Sequence, residues 1–158
     1  MRSGVRLGID VGKARVGVAR SDYHGVLATP VETVARDASG NGDIARILAL
    51  ADEFEAIEFI VGLPLSMSGA TTASTDDAEA FALRLARASD RSARMIDERL
   101  TTVSAQSALH RTGRTAKSSR PVIDQVAAVI LLQQALDVER ASGRPPGSIV
   151  DPTEGREL

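Results

Sequence analysis

The segment that most restricts the fold of this chain is residues 8–22, GIDVGKARVGVARSD, where one carboxylate stands in an apolar run flanked by glycines. Side chains alternate faces along a strand, so Asp10 shares its face with glycines while Leu7 and Ile9 point to the other side. A short connection at residues 13–14 leads to a second run of the same design, which predicts a β-hairpin. The bare face around Asp10 would let a metal ion or a phosphate approach closely; a solvated Asp on an edge strand is the alternative.

Length and composition indicate one globular domain. The chain has 158 residues, of which 43% are hydrophobic and 25% charged, as in typical soluble proteins. We expect a domain over residues 1–141 and a flexible tail rich in Pro and Gly over residues 142–158. The sequence has no cysteine, no visible signal peptide and no apolar run long enough for a bilayer, so a cytoplasmic protein without a membrane partner is expected.

Hydrophobic periodicity predicts the element order βββαβαβα. After the hairpin, the predicted elements are a strand at 25–34, a helix that includes Ile44 to Phe54, a strand at 56–64, a helix that includes Ala78 to Leu85, a strand at 93–97, and helices at 102–111 and 121–140. The fold class is therefore α/β, a mixed sheet of three antiparallel strands followed by parallel strands, with flanking helices. With an Asp on its first strand, this order is similar to the ribonuclease H type of fold.

A second group of acids lies in DERLTT, residues 97–102, at the end of the last predicted strand. Strand ends are where α/β proteins place their chemistry. Strand alternation puts Asp97 and Glu98 on opposite faces, so only one of them can easily join Asp10. The alternative is that Asp97 caps a turn while Glu98 pairs with Arg99 in solvent.

A third acid, Asp124, falls in the middle of the apolar face of the last predicted helix. An unpaired carboxylate there would be costly to bury, so we expect it to meet a cation; interaction with the dipole at the helix N-terminus is the competing explanation. Three dispersed acids without a nearby Cys or His cluster suit a hard ion such as Mg²⁺ or Mn²⁺.

The segment between Glu98 and Asp124 contains several cations and no carboxylate. Such a basic loop between candidate metal ligands would hold a phosphodiester backbone over the site. The net charge of -2 limits nucleic-acid binding to a local patch of this kind. The candidate nucleic-acid contacts are Lys13, Arg99, Arg114, Lys117 and Arg120. An exposed loop whose charge only confers solubility is the alternative.

Four segments, GIDVGKARVGVARSD, IVGLPLSMSG, DERLTT and IDQVAAVILLQ, resemble in order and spacing the YqgF/RuvX family of ribonuclease H-like nucleases, from about residue 7 to residue 132. The resemblance implies cytoplasmic processing of the 5′ end of 16S ribosomal RNA, with Holliday junction resolution as another proposed activity. It also implies that Asp10, Glu98 and Asp124 are the metal ligands and catalytic acids. Related resolvases carry an acid after the fourth strand, where this chain has Gly-Leu-Pro at residues 62–64.

The sequence thus predicts a metal-dependent endonuclease that uses two Mg²⁺ or Mn²⁺ ions on nucleic acid, either precursor rRNA or branched DNA. Two other classes stay open. The pattern DxGxxxxG at residues 10–17 also resembles the phosphate loop of actin-like ATPases and sugar kinases, which need a second large lobe. A non-catalytic RNA-binding factor for ribosome assembly would keep the fold without turnover. The oligomeric state is expected to be monomer or homodimer.

Overall fold

The computed structural model describes residues 1–99 and 120–153, with residues 120–123 described by their backbone alone. Its strands and helices follow the predicted order. The elements are β1 (Val5–Val11), β2 (Arg15–Ser21), β3 (Ala28–Ala35), α1 (Gly42–Glu53), β4 (Ala56–Leu63), α2 (Ala73–Ala88), β5 (Ser92–Asp97), α3 (Arg120–Ser142) and β6 (Ser148–Ile149). The predicted helix at residues 102–111 lies outside the described residues.

The strands form one six-stranded sheet in the order β3-β2-β1-β4-β5-β6. The pairs β1/β2 and β2/β3 are antiparallel, whereas β1/β4 and β4/β5 are parallel. This arrangement confirms the predicted mixed α/β fold. It brings the carboxyl ends of β1, β4 and β5 side by side at one edge of the sheet, where α/β folds commonly place a site.

Helices cover both faces of the sheet and make a three-layer structure. On one face, Leu7 and Ile9 pack in the same core cluster as residues of α1 and α2, including Ile47 and Phe81. On the other face, α3 packs its own cluster of small and branched residues, among them Ala128. The predicted alternation of β1 is therefore confirmed. No helix in the described part of the chain is both long and apolar enough to cross a membrane.

The third strand begins later than predicted, at Ala28 instead of residue 25. The Asp22 carboxylate accepts hydrogen bonds from the backbone N–H groups of Val26 and Leu27, at 2.7 and 2.9 Å. Gly25 takes a positive φ of 69°, a conformation that glycine adopts readily. Asp22 and Gly25 thus stabilise a turn, and β3 begins only after this turn.

The C-terminal segment includes a short strand that the sequence did not predict. Ser148 pairs with Met95, and Val150 N–H donates to the Ala93 carbonyl at 2.8 Å. A strand of two residues carries no hydrophobic periodicity, which is why pattern reading missed it. The domain boundary at residue 141 and the flexibility of the rest of residues 142–158 stay predictions.

A buried ionic cluster joins the N-terminus to the sheet and to α3. The Arg6 guanidinium donates to Glu139 at 2.8 Å, and both side chains are almost fully buried. Arg2 bridges Glu139 and Glu58, at 2.7 Å to each. Arg94 adds a contact to Glu58 at 3.0 Å. Because these charges pair with one another, they tie α3 to β1, β4 and β5.

Candidate active site

Asp10 lies near the carboxyl end of β1, on the face that α3 covers. Its partner across the β1/β2 ladder is Gly17, which has no side chain to crowd it. The neighbouring Gly8 packs directly beneath Ala128 and Leu132 of α3. Asp10 is therefore held in a narrow, partly buried space between the sheet and the helix.

Glu98 follows β5 and turns towards Asp10. Its backbone N–H donates to the Leu63 carbonyl at 3.2 Å, so the chain stays attached to β4 one residue beyond the end of β5. The side chain lies over Gly62, where a Cβ atom would overlap the Glu98 carboxylate oxygen Oε2. The Gly-Leu-Pro segment at residues 62–64 thus supplies space for an acid that comes from the next strand.

The carboxyl groups of Asp10 and Glu98 are hydrogen-bonded to each other. Burial, the Asp10 charge and this hydrogen bond raise the pKa of Glu98 to about 8. Burial also raises the pKa of Asp10, to about 6, although the hydrogen bond from Glu98 favours its ionised form and Asp124 opposes it. At neutral pH these raised pKa values favour a state in which the pair as a whole holds one proton.

Asp124 lies in the first turns of α3, close to β2. The backbone of α3 approaches so closely that a Cβ on Gly17 would overlap the Asp124 carbonyl. The Asp124 carboxylate accepts a hydrogen bond from Arg15 Nε at 2.8 Å. It also lies near enough to Asp10 for its charge to act on the pKa of that group. The expected cation on Asp124 is thus, in this structure, a guanidinium.

Asp97 points away from this group. Its carboxylate accepts hydrogen bonds from the Arg99 guanidinium at 2.5 to 3.0 Å, and Arg99 lowers the pKa of Asp97. Of the two adjacent acids, Glu98 is the one beside Asp10. The pairing of Glu98 with Arg99 that was considered as an alternative is replaced by a pairing of Asp97 with Arg99.

The predicted nucleic-acid contacts are only partly within the described residues. Lys13 is exposed in the turn between β1 and β2. Arg99 is engaged by Asp97. Arg114 and Lys117 lie outside the described residues, and so does the side chain of Arg120. Their roles stay predictions.

Arg15 is a site residue that reading the sequence missed. It starts β2 and, two residues before Gly17, shares the face of that strand that α3 covers. Strand alternation could have placed Arg15 on the same face of β2 as Gly17, but not beside Asp124, because that contact depends on how α3 packs on β2.

The donor set fits a hard divalent cation in chemistry, with three carboxylates near one sheet edge. In residues 1–99 and 120–153, however, no three Asp, Glu or His side chains are already grouped as ligands. In this structure the Glu98 carboxyl group is hydrogen-bonded to Asp10, and the Asp124 carboxylate accepts a hydrogen bond from Arg15. Binding of a cation by all three acids would require these side chains to rearrange.

Comparison with known proteins places this geometry in context. Residues 4–138 match the family model of RuvX, described as Holliday junction resolvase. A relative from Clavibacter michiganensis subsp. michiganensis (strain NCPPB 382), with the name "Putative pre-16S rRNA nuclease", is 62% identical over 150 residues, covering 95% of this chain and 93% of the relative. A relative of the same name from Leifsonia xyli subsp. xyli (strain CTCB07) is 58% identical over 155 residues, covering 98% and 99%.

Among solved structures, RuvC of T. thermophilus in complex with Holliday junction substrate superposes with a TM-score of 0.57. The match covers 90% of this chain and 99% of that chain, at 17% sequence identity. At this identity the likeness shows the fold alone, which is the ribonuclease H-like fold that the strand order predicted.

Proposed function

This chain belongs to the RuvX family and is a nuclease, a hydrolase of phosphodiester bonds, and we propose that it is a metal-dependent endonuclease acting in the 5′-end processing of precursor 16S rRNA. The proposed ligands of the metal and catalytic acids are Asp10, Glu98 and Asp124. Mg²⁺ or Mn²⁺ is the proposed cofactor, in a two-ion site.

The observation that carries this proposal is the hydrogen-bonded pair of Asp10 and Glu98. Bringing two carboxyl groups together in a partly buried space costs stability, and the cost appears as raised pKa values for both. A purely structural pair would gain more from an Arg or Lys partner, as the cluster of Arg6 and Glu139 does in the same protein. Carboxyl groups with raised pKa values, held together at the carboxyl ends of parallel strands, are typical of a functional site.

Each acid has a defined part in this proposal. Asp10, fixed on the central strand, presents its carboxylate between the other two. Glu98, in its ionised form, and Asp124, released from Arg15, would complete the ligand set. Bound divalent cations supply charge neutralisation at the phosphodiester and activation of the attacking water. The protein's own contribution is to hold three oxygen ligands against glycine surfaces that leave room for the phosphate.

The names of the relatives favour precursor rRNA as substrate. The phosphodiester backbone would be contacted by Lys13, Arg99, Arg114, Lys117 and Arg120. Such contacts position a substrate without reading its sequence. Contact with Arg99 would require its release from Asp97. We place the reaction in the cytoplasm and expect a monomer or a homodimer.

A second candidate is resolution of Holliday junctions, with branched DNA as substrate. It is favoured by the description of the matching family model and by the fold shared with a RuvC bound to a junction. A non-catalytic factor for ribosome assembly is disfavoured by the intact acids. A nucleotide-dependent kinase or ATPase is disfavoured because the chain consists of one sheet with its helices and lacks, among the described residues, a second lobe.

One preparation of the protein, offered both substrates, tests the proposal. A labelled precursor 16S rRNA fragment and a four-way DNA junction are incubated separately with Mg²⁺ and with Mn²⁺, and EDTA is the control. We expect cation-dependent cleavage of the rRNA fragment. Cleavage of the junction alone would favour the second candidate, and binding of RNA without cleavage of either substrate would support the assembly factor.

A further inference from the structure

Arg15 and Asp124 form a contact that the proposed chemistry does not explain. Arg15 is the first residue of β2, and Asp124 lies near the start of α3, 109 positions later in the chain. The described contact uses one nitrogen, Nε, at 2.8 Å, instead of the two-pronged geometry that makes Arg–carboxylate pairs strong. The Arg15 side chain is 37% exposed, so it can leave the pair without opening the core.

The Asp124 carbonyl packs against Gly17, on the same face of β2 as Arg15. This packing places Asp124 beside β2 and next to β1, the strand that carries Asp10. The Asp124 carboxylate has two neighbours of opposite character, a guanidinium on β2 and an acid on β1.

We propose that Arg15 is a positioning residue that holds Asp124 while the site contains no divalent cation, and that it moves to a substrate phosphate when a cation takes the Asp124 carboxylate. This inference rests on the proposed function, because it requires Asp124 to be a ligand. It adds a phosphate contact from β2 to those proposed for the basic loop. It also makes cation binding and substrate binding depend on each other.

Electrostatics gives the reason for the exchange. A guanidinium and a divalent cation on one carboxylate repel each other, so the presence of Arg15 weakens cation binding. A nucleic-acid phosphate beside the site offers the displaced guanidinium a better partner, since Arg is well suited to phosphate oxygens. Substrate binding thus draws the Arg15 guanidinium away from Asp124, where it competes with the cation. Cation binding in turn frees Arg15 to contact the substrate phosphate.

A different role is consistent with the same contact: Arg15 would stay on one oxygen of Asp124 and orient the other towards the cation. The two roles predict opposite changes in cation affinity when Arg15 is removed. If Arg15 competes, its removal tightens cation binding; if it orients a ligand, its removal weakens cation binding. Because the pair is partly exposed and joined through one nitrogen, we expect competition.

The first measurement is Mn²⁺ affinity without nucleic acid, by isothermal titration calorimetry. Arg15→Gln should bind Mn²⁺ about two- to fivefold more tightly than wild type, the change that loss of one partly exposed ion pair can produce. Arg15→Lys keeps the charge and should stay within about twofold of wild type. Arg46→Gln removes the same charge from a surface pair with Glu32 and should change nothing.

The second measurement separates substrate contact from general damage to the fold. Binding of a labelled precursor 16S rRNA fragment is followed by fluorescence anisotropy in Ca²⁺ and in EDTA, with the RNA checked on a gel. Arg15→Gln should weaken binding about fivefold in Ca²⁺ and leave it unchanged in EDTA, where Arg15 is held by Asp124.

The outcomes distinguish this inference from the proposed function. Unchanged or weaker Mn²⁺ binding by Arg15→Gln, an equal loss of RNA affinity in Ca²⁺ and EDTA, or an effect of Arg15→Lys as large as that of Arg15→Gln would overturn the exchange. A wild-type protein that binds no Mn²⁺, or binds it as well after Asp10→Asn, would overturn the proposed function and the inference with it.

Discussion

Gly62 of β4 leaves the space that the Glu98 carboxyl group occupies. Gly62 lies on β4 and Glu98 directly follows the neighbouring parallel strand β5, and a Cβ at position 62 would overlap Glu98 Oε2. The acid that completes the pair with Asp10 can therefore reach it only because this strand position carries no side chain.

Gly62→Ala should displace Glu98 and reduce cleavage about a hundredfold, because small misplacements of catalytic groups have effects of that size. The fold should persist, since Gly62 lies near the end of β4. Gly40→Ala is the matched control: it lies in an exposed loop, where the added Cβ would be 3.1 Å from the Asp37 carboxylate and would have its nearest contacts there, not with the three acids, so this variant should cleave like wild type. Cleavage rates with circular dichroism decide the matter, and full activity of Gly62→Ala would show that Glu98 is not required where it stands.

The two adjacent acids should differ sharply in their effect on cleavage. Glu98→Gln removes a candidate ligand beside Asp10, so its turnover should fall as far as that of Asp10→Asn. Asp97→Asn should be milder, since Asp97 pairs with Arg99 outside the group of acids. Single-turnover rates under identical conditions give the ranking. The reverse order would mean that Asp97 is the ligand.

Stability without a cation should fall as the pH rises. Burial and the Asp10 charge raise the pKa of Glu98 to about 8, while an unfolded chain ionises this group near about pH 4. Between these values the folded state binds more protons than the unfolded state, so the free energy of unfolding decreases with pH. From pH 5 to pH 8.5 we expect a loss of about 1–3 kcal/mol.

Urea denaturation in EDTA at the two pH values measures this loss. Glu98→Gln cannot ionise at this position and should abolish most of the pH dependence. Mg²⁺ should restore part of the stability of wild type at pH 8.5, because the cation replaces the lost proton. An equally steep pH dependence in Glu98→Gln would show that the shared proton does not lie on this pair.

The buried ionic cluster should contribute to the free energy of unfolding and not to cleavage. Glu139→Ala leaves the buried Arg6 without its carboxylate, which should cost about 3–5 kcal/mol. Asp137→Ala removes an exposed carboxylate from the same helix, paired with Arg140, and should cost less than about 1 kcal/mol. Urea denaturation at neutral pH compares them. Equal losses would mean that the cluster does not hold α3 to the sheet.

Local periodicity was enough to predict much of the fold and part of the site. The alternation of β1 separates Leu7 and Ile9 from Asp10, and the structure buries them on opposite faces as expected. The same rule predicted that only one of Asp97 and Glu98 could join Asp10, and the choice of Glu98 came from the resemblance to the family. The face on which a strand residue lies depends on its position relative to its sequence neighbours, and the alternation of apolar and polar residues shows this.

Contacts between distant segments could not be predicted in the same way. The pairing of Arg15 with Asp124 depends on how closely α3 lies on β2, which Gly17 determines only once the two elements are packed. The pairing of Asp97 with Arg99 is local, but it depends on the conformation of the chain after β5, which strand alternation does not determine. The two-residue strand β6 depends on a free edge of β5 and carries no pattern of its own.

Asp10 is proposed to hold the cation on which cleavage depends, and the variant Asp10→Asn removes that ligand. Asn preserves the shape of the side chain and removes the charge that a divalent cation needs. Cleavage of the precursor 16S rRNA fragment and the Mg²⁺-induced shift in melting temperature are measured on wild type and variant together. We expect Asp10→Asn to fold, to lose the Mg²⁺-induced shift in melting temperature and to cleave at least about a hundredfold more slowly. A variant that keeps both the shift and more than about a tenth of wild-type turnover would contradict this role of Asp10.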